Sequence, residues 1–506
     1  MDPLVHEVEL NATPEELAAH VAGEEGAVLL RSALFQSKSE RYSFLAAHPF
    51  WIFTTRGSHS VLREFDGDYP SPRAFERATS LYGNPWSILE ELIGRCEIVG
   101  GREYPFPLGG CFGFWGYDLK RFVEPKVTSR AANNLLLPEC WVGFHGSLVV
   151  FDHQLQKRWV VATGLGADGV RSPKRAEAQL NYWKGRIDAA NRQTEQPDPN
   201  LWREPGGEDA LLTVPMSPEN FCARVRRALD YIRQGDIYQV NLSHRMAAAT
   251  GRHGWQVYQR LLQSSPAPFS AYLHCGSFQL ASSSPELFLS MSGSEVVTRP
   301  IKGTRPRHSD PQRDAEMTMD LKSSPKEKAE LVMITDLLRN DLGRFCEYGS
   351  VKVPELARIE RFPQVQHLVS TVTGTLRPEF THLGALASSF PGGSITGAPK
   401  LRAMQIIDEL EDVARGPYSG ALGYIGFNRE SQLSIAIRTA VCRRGNAWFH
   451  VGAGIVADSM PEAEYEETMA KAAGFRSALA GMSAPAGRGF PVPVDLKPPQ
   501  NIFKLR

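Results

Sequence analysis

The chain has 506 residues, enough for one large core or two closely joined halves, and its 56 acidic residues balance its 56 basic ones. That balance removes the electrostatic basis for a nucleic-acid or membrane-surface partner, which selects a marked basic excess. The seven cysteines are widely spaced and never form a C-x-x-C pair, and neither a basic-then-apolar leader nor a run of about 18 apolar residues is visible, so a reducing, cytoplasmic setting is expected.

From residue 1 to about 190 short β-branched and aromatic runs, such as Ala27–Leu30, Trp141–Asp152 and Arg158–Thr163, alternate with Pro/Gly-rich turns. The alternation predicts an N-terminal α+β domain with mainly antiparallel strands and few helices. Across residues 191–216 the composition shifts to Gln, Pro, Asp and Gly, which predicts a surface linker. Ser217-Pro218-Glu219 then opens a helix to about Gln234, with Phe221, Val225, Leu229 and Ile232 on one face. Residues 217–483 read as a second α+β domain. Its strand-like runs (Gln279–Ser282, Leu287–Ser290, Leu433–Cys442, Trp448–Val456) alternate with helical patterns at about 325–345 and 460–480. Residues 484–506 form a proline-rich tail, expected to be loosely ordered.

Three glycine-rich segments imitate known motifs. Gly452-Ala453-Gly454 follows a strand as a dinucleotide fingerprint would, but too little chain remains for a second βαβ unit; a turn offering backbone N–H groups to an anion is the better reading. Gly392–Gly397 begins like a P-loop, yet Ala398-Pro399 stands where Lys-Ser/Thr is required. Gly109–Gly113 has the look of an amidotransferase nucleophile turn, but no His in the chain is followed two positions later by Glu, so Cys111 reads as a packed small residue.

Ser324-Pro325-Lys326-Glu327 carries the signals of a helix start, with Glu330 one turn beyond Glu327. Near residue 460 the arrangement repeats: Ser459 and Glu462 are spaced for a capping box, and Glu464, Glu467 and Lys471 follow at spacings of three and four. Each helix alone is adequately explained by caps and solvated ion pairs. Two E-x-x-E helices facing one another would supply four oxygen donors, a hard ligand set suited to Mg²⁺, which keeps waters and takes remaining ligands from an anionic substrate.

The segments GDIYQVNLSHR (235–245), SSPELF (283–288), RPIKGTRPR (299–307), KEKAELVMITDLLRNDLGR (326–344), QHLVSTVTG (366–374), FPGGSITGAPKLRAM (390–404), GYIGF (423–427), IAIRT (435–439) and GAGIVADSMPEAEYEET (452–468) closely resemble those of the chorismate-binding enzymes. The resemblance implies an α+β fold of antiparallel sheets packed around a central cleft with helices outside. It further implies that Glu330 and Glu467 ligate Mg²⁺ directly, that Glu327 and Glu464 hold it through waters, and that the metal clamps the ring carboxylate of chorismate. Arg438, Lys471, Gly452 and Gly454 match positions that bind substrate carboxylates. Tyr424 and His367 match residues near the enolpyruvyl group and ring, and Thr396 is placed with the substrate-binding set.

Within that family, Gln239 stands where the water-using members resemble one another in carrying a lysine base, which favours ammonia as nucleophile. Lys302 in Pro-Ile-Lys-Gly-Thr resembles the members that aminate C4, whereas the C2-aminating anthranilate synthases resemble P-I-A-G-T. The resemblance implies attack by Lys302 on C2, with Glu286 as the acid that protonates the departing C4 hydroxyl. With no glutaminase segment in the chain, ammonia is expected from a separate glutamine amidotransferase subunit. Ser32, Pro266 and Phe269 resemble elements of the family's tryptophan pocket, but Arg31 replaces the usual acidic residue. Anthranilate synthase component I and a non-catalytic regulatory subunit are the alternative readings.

Overall fold

Strand-forming segments from both ends of the chain pair into two 12-stranded sheets, in which every strand pair is antiparallel. A computed structural model describes residues 2–32, 41–65, 77–100, 104–192, 212–362 and 365–480. The first sheet runs Leu4–Glu7, Lys157–Ala162, Ser147–Asp152, Tyr42–Ala46, Val28–Arg31, Phe269–His274, Gln279–Ser284, Thr439–Arg443, Asn446–Ile455, Gln239–Ala249 and Leu212–Thr213, with Gly397–Ala398 as a twelfth strand also paired to Gln239–Ala249. The second runs Ile301–Pro306, Val365–Thr375, Glu295–Arg299, Leu287–Ser292, Glu430–Ile435, Ala421–Gly426, Gly110–Trp115, Cys140–His145, Trp51–Arg56, His59–Glu64 and Arg77–Tyr82, with Lys352–Arg361 as a twelfth strand also paired to Val365–Thr375.

A strand sends successive side chains to opposite faces, and both faces of the central strands are covered, so Gly110–Trp115 and Cys140–His145 are buried at every position. Ile52, Phe112, Phe114 and Trp141 of the second sheet meet Phe44, Val150, Ala271 and Leu280 of the first in a shared inner layer. Trp51, Phe53, Trp115 and Phe144 face outward, onto a layer that includes Leu89 and Leu92 of helix Pro85–Gly94 and Leu383 and Leu386 of helix His382–Ser389. The first sheet is covered on its outer face by helices Pro173–Arg192 and Gly254–Ser264, through Trp183, Ile187, Trp255 and Tyr258. The expected α+β architecture, antiparallel sheets with helices outside, is therefore present.

The expected division into two domains is not how the strands are arranged. Leu30 pairs with Ala271 and Phe112 with Tyr424, so both sheets take strands from either side of residues 191–216. Residues 193–211 and 481–506, which hold most of the expected linker and all of the expected tail, lie outside the described residues. Two runs read as single strands each contribute to both sheets. Trp141–Asp152 divides at Gly146, and Leu433–Cys442 divides at residues 436–438, where the chain passes from the second sheet to the first. Helix Pro173–Arg192, with 20 residues, was hidden by its polar composition, and the 460–480 helix is two, Pro461–Lys471 and Ala473–Ala480. No helix among the described residues is long and apolar enough to cross a membrane.

Candidate active site

A cavity of about 540 Å³ is lined from both sheets and both glutamate-bearing helices. The second sheet contributes Lys302, Thr304 and His367, the first Asn241, His450, Gly452 and Gly454. Helix Pro325–Gly343 brings Lys326, Glu327 and Glu330, and helix Pro461–Lys471 brings Glu467 and Lys471.

Local sequence explains how the key groups are aimed. Lys302 pairs with Leu368 and Thr304 with His367, so Gly303 is the extra residue of a β-bulge, at φ +64°. A bulge glycine in the left-handed region bends the strand and re-aims its neighbours, which here leaves both Lys302 and Thr304 on the cavity. The Thr304 hydroxyl and His367 Nδ1 are hydrogen-bonded at 2.9 Å. Burial, reinforced by Arg438, pushes His367 down to about 4, so its ring is neutral at pH 7.

Arg438 stands where the chain crosses between sheets, at φ 49°, a left-handed conformation that costs a non-glycine residue energy and that clusters at functional sites. Its guanidinium faces the cavity and meets no carboxylate among the described residues, and burial holds its pKa below the ordinary guanidinium value. Glu286, just before strand Leu287–Ser292, is buried, and burial raises its carboxyl above the usual range against the pull of the Ser394 hydroxyl and Lys302. Lys471 donates to the Gly452 carbonyl at 2.8 Å and pairs with Glu467 at 2.7 Å. Burial alone would raise Glu467, but Lys471, Lys302 and Lys326 outweigh it and hold the carboxylate below the ordinary range. Burial holds Glu330 up despite Lys302 and Lys326, with Glu327 and Glu467 adding like-charge repulsion.

Five cations (Lys302, Arg305, Lys326, Arg438, Lys471) face the cavity against four carboxylates (Glu286, Glu327, Glu330, Glu467). Such a site selects an anion. Residues 31–477 match the profile of the family described as chorismate binding enzyme. The chain belongs to the chorismate-binding enzyme family. It is 38% identical over 451 residues to aminodeoxychorismate synthase component 1 of Escherichia coli (strain K12), covering 88% of this chain and 91% of that one. It is 37% identical over 453 residues to anthranilate synthase component 1 of Acetivibrio thermocellus, covering 89% of each. The solved structure of anthranilate synthase component I from Streptococcus pneumoniae TIGR4 superposes with a TM-score of 0.71 at 29% identity, over 88% of this chain and 94% of that one.

Not every residue assigned from sequence faces this chorismate-binding enzyme's cavity. Tyr424 is packed in the inner layer, with ring centroids 5.0 Å from Phe44 and 5.4 Å from Phe112; the tyrosine on the cavity is Tyr418, from the turn preceding that strand. Thr396 is turned away, donating to the Gly392 and Gly393 carbonyls, and Ser394 and Ile395 line the cavity instead. Gly452 and Gly454 belong to strand Asn446–Ile455, paired with Ser243 and Asn241, rather than to an anion-cradling turn. A Cβ at 452 would lie 2.8 Å from the Tyr418 hydroxyl and 3.1 Å from Asn241 Nδ2, so glycine there keeps the wall open. Asn241, one of several polar residues in strand Gln239–Ala249, and His450, stacked on Tyr418 at 5.2 Å, also line the cavity and were missed.

For the metal, Glu327, Glu330 and Glu467 face the cavity, while Glu464 is buried behind it. The expected Ser459–Glu462 capping box does not form: Met460 is the N-cap, and the Ser459 hydroxyl donates to Glu464 at 2.6 Å. The second Glu464 oxygen is buried without a hydrogen-bond partner, beside the like-charged Glu467. Among the described residues no three acidic, His or Cys side chains stand as a finished cation cage. The chemistry of the donor set nonetheless fits Mg²⁺: hard carboxylates from two helices face one cavity, the kind of ligand taken by an ion that retains water and completes its shell with an anionic ligand.

The tryptophan-like segments line a separate cavity of about 30 Å³, which includes Ser32 and Phe269 but not Pro266. Arg31 lies on its wall, paired with Glu15 at 2.6 Å. The decoy Cys111 is buried in a strand, and burial pushes its thiol well up, which makes it inert as a nucleophile.

Proposed function

We propose that this chorismate-binding enzyme aminates chorismate at C4, giving 4-amino-4-deoxychorismate for 4-aminobenzoate and folate synthesis. The observation that carries the reading is Lys302, re-aimed by its bulge into the same cavity as Glu286, an acid whose burial favours its protonated form. Lys302 adds to C2 and the ring π electrons shift toward C4. The C4–O bond breaks as Glu286 supplies the proton, and water leaves. Ammonia then forms the bond to C4, the electrons return, and the Lys302–C2 bond breaks with the enolpyruvyl group retained.

Arg438, Lys471 and the wall around Gly452 hold the substrate carboxylates in this reading, and neutral His367 sits at the ring. Glu330 and Glu467 would hold Mg²⁺, with Glu327 and Glu464 acting through water, and the ion would supply positive charge to neutralise the ring carboxylate. Ammonia comes from a separate glutamine amidotransferase subunit, and the complex works in the cytoplasm. The test is mass spectrometry of the product from chorismate, Mg²⁺ and ammonium salt. Retention of the enolpyruvyl group, with NMR placing the nitrogen on C4, supports the reading. Fluorescent anthranilate with loss of pyruvate would instead support anthranilate synthase component I, which the 37% identical Acetivibrio relative favours; no turnover would support a non-catalytic subunit.

A further inference from the structure

Behind one wall of the cavity, and not part of its lining, lies a buried ion pair. Arg415 and Glu411 have side chains 1% and 5% exposed and lie four residues apart, just after helix Lys400–Leu410. Taking two charges out of water costs energy that a pair of well-packed apolar residues would not, so such a pair needs a reason to be there.

Its hydrogen bonds supply one. A guanidinium has five N–H donors in a fixed fork, and Arg415 makes five hydrogen bonds. Two go to Glu411, from Nε at 2.8 Å and Nη2 at 2.7 Å. The others go to the Asn241 carbonyl at 2.7 Å, the Ile395 carbonyl at 3.1 Å and the Ser419 hydroxyl at 3.1 Å. The guanidinium also lies over the Tyr418 ring, 5.6 Å from its centroid, and Glu411 accepts from Ser243 N–H at 2.8 Å and its hydroxyl at 3.0 Å.

Asn241, Ile395 and Tyr418 come from three separate segments: a strand of the first sheet, a 3₁₀ turn and the turn before strand Ala421–Gly426. All three line the cavity. Asn241 Nδ2 is buried and without a partner, an amide donor left for a ligand to meet. Nothing else among the described residues bonds to all three segments at once.

We propose that Arg415, neutralised by Glu411, is a positioning residue. It fixes three disconnected pieces of the cavity wall in one register, so that Asn241, Ile395 and Tyr418 meet the ligand together. The inference rests on the reading that this cavity binds chorismate.

The decisive variant is Arg415→Lys, which keeps the charge but offers three donors from a point instead of five from a fork. Steady-state turnover of chorismate with Mg²⁺ and ammonium is measured for the full chain, with circular dichroism and thermal unfolding as controls on folding. The expected result is a folded protein whose KM for chorismate rises roughly tenfold, the order expected when a hydrogen-bonding group is misplaced. In an Asn241→Ala background the same substitution is expected to raise KM clearly less, because its effect passes through Asn241. A folded Arg415→Lys protein with unchanged KM and kcat, or effects that multiply independently in the double variant, would overturn the proposal. If Arg415→Lys does not fold, Glu411→Gln, which retains an acceptor for Ser243 and Arg415, is expected to raise KM, and an unchanged KM overturns the proposal equally. Wild-type protein that neither binds nor turns over chorismate defeats the reading of the cavity and this inference with it; an active wild type with an indifferent Arg415→Lys defeats the inference alone.

Discussion

Arg438→Met should strengthen the unliganded protein and weaken its hold on chorismate. The guanidinium is a buried cation facing the cavity with no carboxylate opposite it among the described residues. A charge-assisted hydrogen bond to a substrate carboxylate contributes about 1.5–3 kcal/mol. Its removal therefore lowers chorismate affinity by roughly 10- to 150-fold, at about 1.4 kcal/mol per decade. In the empty protein the same charge is held out of bulk water, and burial depresses its pKa, which for a base means that folding disfavours the charged form. Arginine stays protonated at every accessible pH, so that cost does not vary with pH. Because the cavity admits water, about 1 kcal/mol, the low end for replacing a buried charge, is the expected gain. In a chain of 506 residues, at about 2.1 cal/mol/K per residue, 1 kcal/mol raises the unfolding midpoint by only about 1 °C. Differential scanning calorimetry without ligand and chorismate titration with Mg²⁺ measure the two effects. A variant that melts lower and binds chorismate normally would show that Arg438 is a structural cation and refute the reasoning.

Lys302→Ala should abolish the 4-amino product and divert residual amination to C2, read by chromatography against both standards; 4-amino product formed at the wild-type rate removes Lys302 from the mechanism. Glu286 has a folded-state pKa raised above the usual carboxylate value of about 4.3, so its protonated form persists above that pH and is lost as pH rises through the raised value. The wild-type pH profile should accordingly carry a descending limb from this acid, and Glu286→Gln, at much lower kcat, should lack it; an identical limb in the variant contradicts the assignment. Glu467→Gln should raise the Mg²⁺ concentration for half-maximal activity by at least roughly tenfold, and a wild-type magnesium titration would exclude it as a ligand.

What the sequence made legible was local chemistry. Ser324 caps its helix through the Glu327 N–H as the spacing indicates, and the Pro-Ile-Lys-Gly-Thr run contains the glycine that its bulge requires. What stayed hidden depended on pairing between distant segments. The composition shift near residue 200 resembles a domain boundary, but nothing local encodes that Leu30 will lie beside Ala271. Tyr424 and Tyr418 are six residues apart in similar glycine-rich surroundings. Only strand alternation, which sends Tyr424 into the inner layer with Leu422, separates the core tyrosine from the one on the cavity. Asn241 looked like one polar residue among strand residues until its neighbours, Gly452 and Tyr418, were in place.

Mass alone does not separate amination at C4 from amination at C2 when the enolpyruvyl group is retained, because the two products are isomers. The most direct measurement is therefore NMR of the product formed from chorismate, Mg²⁺ and ¹⁵N-ammonium. Nitrogen coupled to the C4 proton, with the enolpyruvyl signals intact, is the predicted result. Nitrogen on C2 would contradict the account.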